Sequence, residues 1–128
     1  MILLLDTSTP ECRLSLVDGD WRYDATWEAN RELAKGLLLY IQTQLESQQK
    51  TWTDLTGLGV FKGPGSFTGL RIGITVLNTI ADSENIPIVG ETGDDWREKA
   101  IKRLTNNESD RIVLPEYGGE ANITQPRK

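Results

Sequence analysis

The chain opens on the unbroken apolar run Ile2-Leu3-Leu4-Leu5 and turns polar at Asp6. A run without polar alternation predicts a strand covered on both faces, here strand one. The period then becomes two. Cys12, Leu14 and Leu16 alternate with Arg13 and Ser15; beyond Asp18-Gly19, the residues Trp21, Tyr23, Ala25 and Trp27 alternate with Arg22, Asp24, Thr26 and Glu28. Asp-Gly between two such runs predicts a hairpin closed by a primed turn, with positive φ at both central positions. Over residues 32–48 the period is helical, with Leu33, Leu37, Tyr40, Ile41 and Gln44 to one side and Lys35, Gln42 and Glu46 to the other. Residues 57–62 read as a strand, 66–82 as helix two and 86–89 as a strand interrupted by Pro87. Asp94 or Asp95 caps a third helix in which Trp96, Ala100, Ile101 and Leu104 share a face, and residues 111–114 read as a last short strand. Past Pro115 the chain is polar, with Gly118-Gly119 and a Pro-Arg-Lys end, and an extended tail is expected.

A meander followed by two crossovers gives a mixed five-stranded α/β sheet of order 3-2-1-4-5. Right-handed crossovers place helices one and two on one face and leave the other for helix three. Residues 1–92 form this lobe, and residues 93–128 add the third helix and the tail.

Composition narrows the chemistry. With 38% hydrophobic and 26% charged residues the chain is an ordinary globular one. No apolar run is long enough to span a membrane and none has the flanks of a signal peptide, so a cytoplasmic protein without membrane contact is expected. The absence of histidine removes the usual catalytic base and the commonest zinc ligand, and a lone Cys12 makes neither a disulfide nor a CxxC site. A net charge of −5 argues against autonomous binding to nucleic acid, so any RNA role would need a basic partner. The basic residues Arg97, Lys99, Lys102 and Arg103 are diluted by Asp94, Asp95 and Glu98 and read as a solvated helix face.

The stretch Gly63-Pro64-Gly65-Ser66-Phe67-Thr68-Gly69-Leu70-Arg71 sits between a strand and a helix, where phosphate loops occur. It is not a Walker loop, because no lysine follows at the required place, and the spacing of Gly63, Gly65 and Gly69 misses the dinucleotide fingerprint by one. Nor does it match a nucleophile elbow, since Pro64 and Thr68 stand where glycines belong. One reading makes Gly63 and Gly65 the carriers of unusual backbone angles and Ser66 the cap of helix two. The other places an anion at Gly63, Gly65, Ser66 and Thr68, on the helix N-terminus.

Helix two carries more apolar surface than a surface helix needs: Gly69, Leu70, Ile72, Gly73, Ile74, Val76, Leu77, Ile80 and Ala81 fill an arc of roughly 200°. Gly69 and Gly73, one turn apart, leave a notch for a close neighbour. That neighbour is either helix one of the same chain or a helix of a partner. Leu39, on the otherwise polar face of helix one, adds to the second reading.

Four stretches together, Ile2-Leu3-Leu4-Leu5-Asp6-Thr7-Ser8, Ala29-Asn30-Arg31-Glu32-Leu33, Lys62 through Arg71, and Ile86-Pro87-Ile88-Val89-Gly90, resemble the TsaB family, bacterial tRNA threonylcarbamoyladenosine biosynthesis proteins once grouped with glycoprotease-like peptidases. The resemblance covers residues 1–92. It implies a single actin/Hsp70-like (ribonuclease H-like) lobe and a non-catalytic scaffold, without catalytic residues, cofactor or metal of its own, that docks on the catalytic homologue TsaD. A TsaE-like ATPase is reached only through that complex; apart from the resemblance, a homodimer could use the same surface when the chain is alone, because an isologous contact only requires a self-complementary patch. The implied interface uses helices one and two: Leu33, Leu37, Leu39 and Ile41, with Gly69, Ile72, Gly73, Val76, Leu77 and Ile80. Members carry a second lobe, whereas here only residues 93–128 follow the matched region, so half a nucleotide cleft is expected and ATP is not expected to bind as in two-lobed relatives. Asp6, a metal and phosphate holder in active relatives, is followed by Thr7-Ser8-Thr9-Pro10 without the usual glycine and reads as the start of an Asx turn. The competing reading is an enzyme or switch that binds nucleotide or phosphate at the loop 63–68.

Overall fold

The computed structural model describes residues 1–116, so most of the expected tail lies outside the described residues. Five strands, β1 (Ile2–Asp6), β2 (Glu11–Asp18), β3 (Trp21–Glu28), β4 (Gly57–Phe61) and β5 (Ile88–Glu91), form one sheet of order β3-β2-β1-β4-β5. β1 is antiparallel to β2 and β2 to β3, while β4 runs parallel to β1 and β5 parallel to β4. The helices are α1 (Leu33–Ser47), α2 (Phe67–Glu84) and α3 (Trp96–Thr105).

The apolar start of the chain is explained by two cores. Leu3 and Leu5 join Leu14, Leu16, Leu58 and Val60 under α1 and α2, whereas Leu4 faces the other way with Val17, Val89, Trp96, Ala100 and Leu104 of the α3 side. Each face of β1 therefore meets helices, and full burial of a leucine is worth roughly 1.5–3 kcal/mol. In β4 the alternation is of size. Leu58 and Val60 fill the α1/α2 core, and Gly57 and Gly59 let α3 come close, since a Cβ on Gly59 would lie 2.9 Å from that of Ala100. This is the actin/Hsp70-like (ribonuclease H-like) architecture, with two helices on one face and the third on the other.

Local chemistry shifts several expected boundaries. The hairpin turns on Gly19-Asp20, one residue later than Asp18-Gly19. Asp18 pairs with Trp21, and of the two central residues only Gly19 has positive φ, at 62°. That is the demand of a glycine-first turn and not of an Asp-Gly turn. β5 begins two residues late. Ile86 N–H is spent on Ala81 O at the end of α2, where Asn85 adopts the left-handed conformation, and Pro87 has no N–H to give. α3 starts after Asp95 as expected, but the Asp95 side chain makes no cap and pairs instead with Lys99 at 3.4 Å.

The expected strand at 111–114 is absent. Its backbone is held by a side chain: Asn78 Nδ2 donates to Val113 O at 3.0 Å, and Val113 N–H donates to Asn78 Oδ1 at 2.9 Å. An amide side chain thus supplies both bonds that a strand neighbour would have given.

Candidate functional site

The glycine-rich loop leads from β4 into α2 and leans on the turn after β1. Asp6 closes an Asx turn, its Oδ1 accepting from Ser8 N–H at 2.9 Å and from the Ser8 hydroxyl at 2.6 Å. Ser66 N–H donates to Ser8 O at 2.9 Å, and a Cβ on Gly65 would sit 2.5 Å from that of Ser8. Gly65 is thus needed for closeness, while Gly63, at φ +123°, is needed for its backbone angle. The Ser66 hydroxyl accepts Gly69 N–H at 3.3 Å and caps α2. Of the anion candidates, Gly63 is buried and Gly65, Ser66 and Thr68 are exposed. Ser66 and Thr68 line an open groove of about 820 Å³ together with Thr9, Glu28, Arg31 and Glu32, so its lining holds two carboxylates and one arginine.

Thr7 is the residue that sequence reasoning missed. It is fully buried, and its hydroxyl donates to Gly69 O at 2.7 Å. A Cβ on Gly69 would collide with Thr7 O, and one on Gly73 with Thr7 Oγ1. The glycine notch of α2 therefore receives the turn after β1, and neither helix one nor a partner's helix fills it. Two glycines one turn apart, facing a strand end with a small polar residue, were the available signal.

The same packing redistributes the expected docking residues. Leu33, Leu37 and Ile41 of α1 and Gly69, Gly73, Leu77 and Ile80 of α2 lie inside the lobe, because the sheet needs both inner helix faces to cover it. Leu39 is 66% exposed, and Ile72 and Val76 are half-buried along the seam between the helices. Two exposed side chains join them that the sequence did not single out: Leu38, at 54%, and Phe67, which carries the Arg71 guanidinium over its ring at 5.3 Å. Ala34 faces Thr68 and Ile72 across one shallow groove, and Leu38 and Gln42 face Thr79 and Ser83 across another, so α1 and α2 run in the same direction.

The side chains around this region are poor reagents. Burial, reinforced by the negative charge of Asp6, pushes the Cys12 thiol up to about 12, and a thiol held protonated is not a nucleophile. Burial likewise raises the Tyr40 phenol to about 12, where it stacks on Trp27 with centroids 4.9 Å apart. Among the described residues no three His, Cys, Asp or Glu side chains are grouped to hold a metal ion. Among the same described residues no helix is long and apolar enough to cross a membrane.

Comparison with known proteins fits this geometry. Residues 27–92 match the family model described as TsaD: tRNA N6-adenosine threonylcarbamoyltransferase. The Escherichia coli tRNA threonylcarbamoyladenosine biosynthesis protein TsaB is 36% identical over 90 residues, covering 70% of this chain and 38% of that protein. The chain belongs to the TsaB/YeaZ family. TsaB of Buchnera aphidicola (Schizaphis graminum) is 32% identical over 90 residues, 70% of this chain and 43% of that protein. YeaZ from Pseudomonas aeruginosa superposes with a TM-score of 0.67 at 26% identity, over 77% of this chain and 49% of that chain. A Listeria monocytogenes tRNA N6-adenosine threonylcarbamoyltransferase is also 36% identical, over 62 residues, covering 48% of this chain and 18% of that protein. The chain thus spans less than half the length of the TsaB and YeaZ proteins it matches, and the shared part is the lobe described above.

Proposed function

We propose that this lobe is a non-catalytic scaffold that docks on a TsaD-like catalytic homologue through the exposed seam of α1 and α2. The observation that carries the reading is the exposed pair Leu38 and Leu39 beside the half-buried Ile72 and Val76, on helices whose inner faces already saturate the core. Exposed apolar side chains on adjacent helices are more than the scattered leucine of an ordinary surface. Membership of the TsaB/YeaZ family supplies the class of partner. Charge gives the seam a direction: Lys35 and Arg71 lie toward its N-terminal end and Glu46, Asp82 and Glu84 toward the other. Such a stripe is complementary to a similarly polarised helix pair running the opposite way, as in a related lobe or in a second copy of this one. A homodimer therefore forms through the same seam when the partner is absent. The tRNA and a TsaE-like ATPase belong to the wider assembly and not to the contacts of this lobe.

Leu38→Glu with Val76→Glu tests this by copurification with the TsaD-like protein of the same host and by circular dichroism. The double variant is expected to keep its fold and to bind at least about 30-fold more weakly, the loss of a hot spot of ~2 kcal/mol. Undiminished association of the folded variant overturns the reading. Calorimetric titration of the chain with ATP and ADP addresses the loop 63–68: tight binding would favour a nucleotide switch over a scaffold.

A further inference from the structure

Arg71 stands on the outer face of α2 beside the seam, exposed and without an ion pair among the described residues. Other arginines of this lobe are tied to acids: Arg13 to Glu11 and Arg22 to Asp24, each at 3.0 Å, and Arg103 to Glu91, Glu108 and Asp110. The sequence keeps acids out of reach of Arg71. Its neighbours one helical turn away are Phe67, Thr68, Ile74 and Thr75, and the first acid of α2, Asp82, lies eleven residues on, about 16 Å along the axis.

The guanidinium is nonetheless held. Its Cζ sits 5.3 Å from the centroid of the Phe67 ring, a stack that steadies a long side chain without taking up its donors. Thr68 and Thr75, one turn to either side, line the same shallow groove of about 290 Å³ as Arg71, Ala34, Ile72 and Val76. Neither threonine hydroxyl has a hydrogen-bond partner among the described residues. A flat fork of N–H donors, flanked by two free hydroxyls and walled by apolar carbon, is complementary to one carboxylate, which takes two N–H groups side by side. The groove is smaller and more open than pockets that enclose a free ligand, so the carboxylate belongs to a side chain carried in on a docking surface.

We propose that Arg71, held by Phe67 and flanked by Thr68 and Thr75, receives an Asp or Glu side chain of the TsaD-like partner and fixes the register of docking along the seam. This rests on the docking reading above, and the test separates the two. Affinity of the full chain for the TsaD-like protein of the same host is measured by calorimetry, with circular dichroism as the check on folding. Arg71→Met, which keeps the stem and removes the fork, is expected to bind at least about tenfold more weakly. Should Arg71→Met not fold, Arg71→Gln is read against the same threshold. Arg71→Lys, with charge but no fork, is expected to recover only part of the loss. Phe67→Leu is expected to weaken binding when Arg71 is present and to add nothing in an Arg71→Met background, a dependence that a direct contact through Phe67 would not show. A smaller loss in Arg71→Met, while Leu38→Glu with Val76→Glu still weakens binding, overturns the carboxylate site and leaves docking standing. No loss in either overturns both. Full affinity in Arg71→Lys, or an equal cost of Phe67→Leu in both backgrounds, overturns the roles given to the fork and to Phe67.

Discussion

At the scale of single residues, the contact between Thr7 and α2 leaves no room for a side chain at Gly69 or Gly73. Gly73→Ala gains about 0.5–1 kcal/mol of helix propensity but drives a methyl group into the Thr7 hydroxyl. Collision in a packed core costs about 1–3 kcal/mol, so the net expectation is destabilisation, read as a lower urea midpoint. In a Thr7→Ala background the same substitution meets no hydroxyl and is expected to cost less, and equal costs in both backgrounds would show that the two residues do not compete for space. Asp110 gives a pH signature. Burial pushes its pKa up, but the hydrogen bond from Arg103, the Gly90 N–H and the charges of Arg103 and Lys62 outweigh burial and hold the carboxyl below its ordinary value. Its contribution is therefore full above the ordinary carboxylate range and fades as pH falls through the lowered value. Asp110→Asn is expected to lose about 2 kcal/mol at neutral pH, and the gap between the two melting curves is expected to close only below about pH 4. Glu91 and Glu108 also face Arg103, so the guanidinium stays paired when Asp110 is neutral.

At the scale of elements, neighbouring leucines on α1 have opposite fates. Leu37 is fully buried and Leu39 is 66% exposed. Leu37→Ala is expected to cost about 2–5 kcal/mol and Leu39→Ala no more than about 0.5 kcal/mol, by chemical denaturation; similar costs would mean that α1 is seated differently on the sheet. The helical period sets these two side chains on different faces, but only the sheet beneath α1 shows that Leu33, Leu37 and Ile41, expected at an interface, belong to the core. The face of α2 was misjudged because its apolar arc is wide for three separate reasons: the sheet beneath it, α1 beside it and the turn after β1 lodged at Gly69 and Gly73. Periodicity reports how wide an apolar face is and not what covers it. The basic face expected on α3 divides in the same way, with Lys102 in solvent and Arg103 turned toward the β5 edge.

At the scale of the whole molecule, the sheet is covered by α1 and α2 on one face and α3 on the other, the outward groups of β5 are met by Arg103, Ser109 and Asp110, and Leu38 and Leu39 stand exposed on α1. Docking there is expected to be apolar at its centre and charged only at its ends. Raising salt from about 0.05 to about 0.5 M should therefore slow association more than it weakens affinity, because screening acts on exposed charges and not on buried apolar contact. Stopped-flow and equilibrium binding with the TsaD-like protein separate the two, and a collapse of affinity with salt would point to a polar interface. The strand order, the three helices, the Asx turn at Asp6 and the Ser66 cap were determined by the sequence alone, because periodicity and capping act within a few residues and leave a local trace. The place of Thr7 in the glycine notch, the Asn78 clamp on Val113, the closure of β5 by Arg103 and Asp110, and the division of the leucines of α1 and α2 between core and seam were decided by the tertiary structure. Each joins residues far apart in the chain, and which of two chemically suitable partners meets is fixed only when the sheet and its helices have assembled.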